Sequence, residues 1–228
     1  MARSKCYDQY CPMAHALSLV GERWSLLVVR ELLEGPKRYT DLVHGLPGIG
    51  TNILAARLRD LEDAGIVRKR KLPPPAASTV YELTEYGAEL NEALYALARW
   101  GARTLGPPKP GDWIDPEWGV NAIPALFDPL AAGELDETWV LQVDEGVFTA
   151  RFANGCVEAA VGGAENADAV IKTDMESFYW LVAGELEPDE ALASGRVEVE
   201  GDPSVLNRLV RVLNFAPRAP SAQRALPV

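Results

Sequence analysis

The chain has 228 residues, 48% of them hydrophobic and 24% charged, with a net charge of −11. No apolar run approaches the ~20 residues that a membrane span needs, and the opening MARSKCYDQYCPM lacks the apolar stretch of a secretory signal. Three cysteines, an odd number, make a poor disulfide framework and point to a reducing compartment, so a cytoplasmic location is expected.

At this length two domains, each with its own core, are expected. Residues 1–105 hold 14 Lys/Arg and 12 Asp/Glu, whereas residues 106–228 hold 8 and 21. The net charge argues against a polyanionic partner, but the first part alone carries +2 and the excess acid belongs to the second. Gly106-Pro107-Pro108-Lys109-Pro110-Gly111 cannot continue a helix and reads as part of a semi-rigid linker. The expected organisation is a domain over 1–105, a linker over 106–115, a second domain over 116–217 and a poorly ordered tail over 218–228.

In chain order, Pro12 suits a helix start, with Met13, Leu17 and Val20 at helical spacing until Gly21 interrupts. A second helix, Arg23 to Leu33, is expected to turn Trp24, Leu27, Val28 and Leu32 inward and to stop at Gly35-Pro36. A short segment, Tyr39 to His44, leads through the turn Leu46-Pro47-Gly48-Ile49-Gly50 into a longer helix from Thr51 to Ala64, the pattern of a helix-turn-helix. On that helix Leu54, Leu58 and Leu61 fall at about 0°, 40° and 340°, a buried stripe, while Asn52, Ala56 and Arg59 fall at about 160°, 200° and 140°, facing away from it. Small or polar outward side chains allow a helix to enter a major groove, where Asn and Arg read base edges; the same face also suits an ordinary surface helix.

Ile66-Val67 then runs into Arg68-Lys69-Arg70-Lys71, a proline-rich tip, and Thr79-Val80-Tyr81-Glu82-Leu83. This predicts a β-hairpin with four cations at its base, a wing able to touch phosphates that flank the groove. In isolation a basic run is a solvated face; directly after a helix-turn-helix it favours DNA. Thr84 is expected to cap a helix reaching Leu105, whose stripe Leu90, Leu94, Leu97, Gly101 and Leu105 needs a partner, most simply a second copy of the chain.

Cys11-Pro12, Val20-Gly21-Glu22-Arg23-Trp24, Gly35-Pro36-Lys37-Arg38-Tyr39-Thr40-Asp41-Leu42, Leu46-Pro47-Gly48-Ile49, Arg57-Leu58, Gly65-Ile66-Val67 and Tyr81-Glu82-Leu83-Thr84-Glu85-Tyr86-Gly87 resemble the HxlR family of bacterial winged-helix regulators. The resemblance implies dimeric operator binding, with dimerisation through the first and last helices of the domain. With the outward face of the longer helix and the hairpin cations, the candidate DNA contacts are Arg38, Thr51, Asn52, Ala56, Arg57, Arg59, Arg68, Lys69, Arg70 and Lys71. The chain departs from the family where the recognition helix usually opens with Ser and a basic residue, since Gly50 and Asn52 stand there. Some relatives sense oxidants or electrophiles through the cysteine of the Cys-Pro pair. Cys11 at a helix N-terminus, where a thiolate is favoured, with Cys6 near enough to resolve it, fits that chemistry; a small residue starting a helix is the plainer reading. Cys6, Cys11 and His15 are three candidate metal ligands without a second pair, so no metal site is expected.

In the second half a helix opening at Asp115-Pro116 is expected to carry Trp118, Val120, Ile123, Leu126, Phe127 and Leu130. Strand-like segments follow at 138–143, 147–152, 156–161 and 169–173, separated by turns at Asp144-Glu145-Gly146, Ala153-Asn154-Gly155 and Gly162-Gly163. Asp174 is a good N-cap for a helix with Met175, Phe178, Tyr179 and Val182, and a short helix at 189–194, a strand at 196–200 and a helix at 203–213 complete the half. The fold class expected is α+β throughout: a mainly helical winged domain, then a mainly antiparallel sheet covered by helices.

Ala169-Val170-Ile171-Lys172-Thr173-Asp174, Gly184-Glu185-Leu186 and Gly195-Arg196-Val197-Glu198-Val199-Glu200-Gly201-Asp202 resemble the sterol-carrier-protein fold. That resemblance implies an apolar tunnel for a lipid-like molecule and no catalysis; Trp139, Phe148, Met175, Phe178 and Trp180 are its candidate lining, or plain core. The half contains no histidine, and its only cysteine falls in a strand, so neither an enzyme nor a cofactor is expected. The sequence thus points to a dimeric DNA-binding regulator controlled by a small hydrophobic effector. The alternatives are thiol-based control through Cys11 with a lipid-carrier or assembly module behind it, or a winged half that binds protein.

Overall fold

The computed structural model describes residues 7–75, 77–115 and 117–213, and the chain divides between Leu94 and Tyr95 into two units whose buried cores share no residue. In the first unit α1 (Pro12–Val20) begins at Cys11 with proline in its first turn, where the missing N–H costs nothing. α2 (Ser25–Leu33) starts two residues later than the spacing suggests, because Trp24 has a φ of 80°, a left-handed conformation outside any right-handed helix. It buries Val28, Val29 and Leu32; Leu27, expected inside, is exposed. α3 (Tyr39–Gly45) and α4 (Thr51–Asp63) complete the helix-turn-helix, and Leu54, Leu58 and Leu61 are all but completely buried, as the 3.6-residue period requires.

β1 (Val67–Lys71) and β2 (Thr79–Leu83) pair antiparallel from Val67 opposite Leu83 to Lys71 opposite Thr79. The outer edge of β2 is also anchored: Lys37 and Tyr81 exchange backbone hydrogen bonds of 3.0 and 2.8 Å, so the turn before α3 acts as a third strand for one residue pair. Thr84 caps a helix, but not one reaching Leu105. α5 (Glu85–Ala88) is a single turn, and α6 starts afresh at Leu90 and ends at Ala102, running from the first unit into the second. Of the expected stripe, Leu90 and Leu94 pack on the core of the first unit, Leu97 is exposed and Leu105 lies past the helix end.

In the second unit the long helix expected from Asp115-Pro116 is two shorter ones, α7 (Gly119–Leu126) and α8 (Pro129–Ala132). Phe127 between them is extended and pairs with Leu213, and Asp128 caps α8 with its carboxylate. β3 (Glu137–Val143), β4 (Gly146–Ala153), β5 (Cys156–Val161) and β6 (Ala169–Thr173) are followed by α9 (Met175–Ala183), α10 (Pro188–Ala193), β7 (Val197–Gly201) and α11 (Val205–Val212). The strand order is β5-β4-β3-β6-β7, with β3 and β6 parallel and every other pair antiparallel. Alternation sends Trp139, Leu141, Phe148, Phe152 and Ile171 to one face, where helix residues such as Phe178, Leu181, Leu206 and Leu209 complete the core. The expected tail over 218–228 lies outside the described residues.

Candidate nucleic-acid interface

Two elements of the first unit present polar side chains outward. On α4, Thr51, Asn52 and Arg59 are exposed and Ala56 is half-buried, a face of small and polar groups opposite the leucine stripe. The N-terminal end of α4 is held by Tyr39, whose hydroxyl donates to the Thr51 carbonyl at 2.7 Å. Arg38, exposed at the start of α3, has its backbone N–H bonded to Asp41 at 2.8 Å, which leaves its side chain at the surface.

Arg57 does not belong to this face. It is 9% exposed and turned inward, with its guanidinium 3.2 Å from Glu22 and 2.9 Å from Asp60. Placed three residues after Leu54 and next to Leu58, it shares their side of the helix, so it tethers α4 to the segment before α2.

The basic run does not sit at the hairpin base; it climbs the whole of β1 and alternates faces. Arg68 and Arg70 share one face with Glu82, which stands directly across from Arg68 and accepts the Arg68 Nε–H at 2.8 Å and the Arg70 Nε–H at 2.7 Å. These two guanidinium groups hold the Glu82 carboxyl below its ordinary range, Arg70 contributing most. On the other face Lys69 lies 5.3 Å over the Tyr81 ring and 3.4 Å from Glu62 in the last turn of α4, tying the wing to that helix. Lys71 has no carboxylate partner among the described residues. The reading of four cations therefore missed two carboxylates, Glu62 and Glu82. The sequence left open the register that brings Glu82 to Arg68, because a long proline-rich tip does not fix the pairing of the two strands.

Cys11 is exposed at the start of α1, and Cys6 lies outside the described residues. Met13 and Leu17 on α1 are also exposed, at 67% and 43%. A cleft of about 200 Å3, which the sequence did not announce, lies beside this helix and is lined by Ala16, Leu19, Val20, Tyr86 and Leu90 among others. No group of three or more His, Cys, Asp or Glu side chains fit to hold a metal occurs among the described residues.

The candidate ligand residues of the second unit fall into two groups. Trp139, Phe148 and Phe178 are buried, whereas Met175 and Trp180 stand partly exposed at the margin of the same core. Trp118 meets Phe148 edge-on at 5.3 Å and Phe178 at 5.4 Å; Trp139 and Phe152 are 4.4 Å apart. Gly119 lets α7 approach this cluster closely, since a Cβ there would stand 2.6 Å from the Phe148 ring. No helix among the described residues is long and apolar enough to cross a membrane.

Residues 19–109 match the HxlR-like helix-turn-helix family, and residues 130–214 match the SCP-2 sterol transfer family. The uncharacterized HTH-type transcriptional regulator sll1512 of Synechocystis sp. is 36% identical over 114 residues, which are 49% of this chain and 78% of that protein. The HTH-type transcriptional regulator YodB of Bacillus subtilis is 35% identical over 105 residues, 46% of this chain and 91% of the relative. The solved structure of the reduced form of YodB from B. subtilis is similar at 34% identity and a TM-score of 0.38, covering 46% of this chain and 100% of that one.

Proposed function

We propose that this chain, which belongs to the HxlR family of helix-turn-helix transcriptional regulators, reads duplex DNA with the outward face of α4 and steadies itself on phosphates with its wing. The observation that carries this reading is the joint exposure of Asn52 and Arg59 opposite the buried leucine stripe, on a helix to which Glu62 ties the basic β1. Asn and Arg make the bidentate contacts that distinguish adenine and guanine in a major groove, each worth about 1–3 kcal/mol of discrimination. Exposed apolar side chains on α1 suit pairing with a second copy, which would place two reading helices on two half-sites. The test is a gel shift with the chain's own upstream region. Asn52→Ala with Arg59→Ala is expected to weaken specific binding at least tenfold while leaving the melting temperature in place. A wild-type chain that never shifts duplex at low salt would overturn the reading.

The second unit is proposed to hold a small hydrophobic effector among Phe178, Met175, Trp180, Trp139 and Phe148, supported by the match to the SCP-2 sterol transfer family and by an aromatic core. Such an effector controls DNA only if it binds the DNA-competent and incompetent forms with different affinity. Native mass spectrometry and extraction of the purified chain look for it directly. Unchanged operator affinity at saturating effector would end the coupling model.

One observation favours a second means of control: Cys11 is exposed at the start of α1, beside the apolar side chains proposed to pair two copies. Oxidant treatment is then expected to change DNA binding of the wild type and not of Cys11→Ser. Equal responses of the two proteins would rule it out.

A further inference from the structure

We propose that Glu82 is a positioning residue of the DNA wing, which orients the guanidinium groups of Arg68 and Arg70 and at the same time restrains their attraction for phosphate, so that the wing favours operator over arbitrary DNA. The inference rests on the DNA-binding reading above and goes beyond it in assigning a role to an acidic residue inside the basic hairpin.

The geometry is specific. Strand register puts Glu82 directly opposite Arg68 and diagonal to Arg70, and period-two alternation brings all three side chains to one face. The carboxylate is shielded, its side chain 10% exposed, whereas those of Arg68 and Arg70 are 64% and 45% exposed. Glu82 takes the inward edge of each guanidinium: Nε of Arg68 at 2.8 Å, and Nε and Nη2 of Arg70 each at 2.7 Å. A guanidinium has five N–H donors in a rigid plane, so fixing the inner edge leaves outer donors aimed at solvent in a set direction.

The same contact lowers the charge that the face offers. Two arginines and one glutamate sum to a single positive charge, so duplex of any sequence meets a weaker field than the basic run suggests. Attraction to phosphate is independent of sequence and supplies non-specific binding. A carboxylate that damps it while holding the donors in register trades general affinity for geometric selectivity. A phosphate in the right position can still use the outer donors; one in the wrong position must pull an arginine away from Glu82.

The experiment uses the full chain and measures fluorescence-anisotropy titrations of random-sequence duplex and of an operator duplex across a salt series. Glu82→Gln keeps the shape and removes the charge. It is expected to bind random duplex severalfold tighter, to steepen the slope of log K against log salt by about 0.9 for each wing engaged, and to lower the ratio of operator to random affinity. Glu82→Asp keeps the charge and withdraws the carboxylate by one methylene. It is expected to leave the salt slope unchanged and still to lower the ratio, and it carries the test alone if the glutamine variant does not fold. A folded Glu82→Gln with an unchanged or shallower slope, or a Glu82→Asp with an unchanged ratio, would overturn the proposal. Failure of the wild type to bind duplex at all would strike the DNA-binding reading instead.

Discussion

Asp202, at the end of the last strand, accepts hydrogen bonds from the Ser204 hydroxyl and backbone N–H and from Arg208 at 3.1 Å. The Ser204 hydroxyl is the largest cause, and together these donors lower its pKa from 3.8 to about 2. A carboxylate whose pKa is depressed by folding adds stability above its unfolded value and loses it as the pH falls through the folded one. Thermal melts across pH are therefore expected to show wild type more stable than Asp202→Asn at neutral pH, with the gap closing as the pH drops from 3.8 toward about 2. A gap that stays constant would count against this linkage. At this scale the sequence is most legible where one residue's period decides its fate, as with Leu54, Leu58 and Leu61. It is least legible where a polar residue's fate depends on a distant partner. Arg57 falls at about 300° on α4, beside the leucine stripe, so its period turns it inward, but the partner it meets there, Glu22, lies far back in the chain; Arg59, at about 140°, is exposed.

α4 depends on Arg57 for its attachment to the segment before α2 as well as on its leucines. Because Glu22 and Asp60 are themselves partly exposed and screened by water, Arg57→Gln is expected to cost only about 1 kcal/mol, much of it lost packing of the side-chain stem. Chemical denaturation should show that loss, while the salt slope of DNA binding stays at its wild-type value; a slope reduced by about one would instead place Arg57 on phosphate. Element existence followed from local chemistry: proline at the start of α1, Asp174 accepting the Ser177 N–H to cap α9, and glycine-containing turns around β4. Breaks imposed by packing did not. α5 lasts a single turn, and Gly87 within it lies so close to the hairpin base that a Cβ would stand 2.1 Å from the Ile66 carbonyl oxygen. The parallel β3–β6 pair was equally hidden, because alternation assigns faces to a strand without naming its neighbour.

Taken whole, the molecule has two cores with no buried residue in common, one built on Leu54, Leu58 and Leu61 and the other on Trp139, Phe148 and Phe152. Calorimetry is expected to resolve two transitions. Leu58→Ala should lower one of them by about 2–5 kcal/mol, and Phe152→Ala the other by about 3–5 kcal/mol. A single transition shifted by both changes would contradict separate cores. The break in charge between the halves was plain from the sequence; which helices cover which face of the sheet was not, since that depends on contacts far apart in the chain. The pairing of Phe127 with Leu213, reinforced by the Asp128 N–H bonded to the Val212 carbonyl at 2.7 Å, joins the segment between α7 and α8 to the end of α11. On the ribosome this sets an order of events. The winged unit has its residues by Leu94 and can acquire its fold early, whereas the second must wait for Leu213, leaving an aromatic core that begins at Trp118 unclosed and open to chaperones until the end of α11 is made.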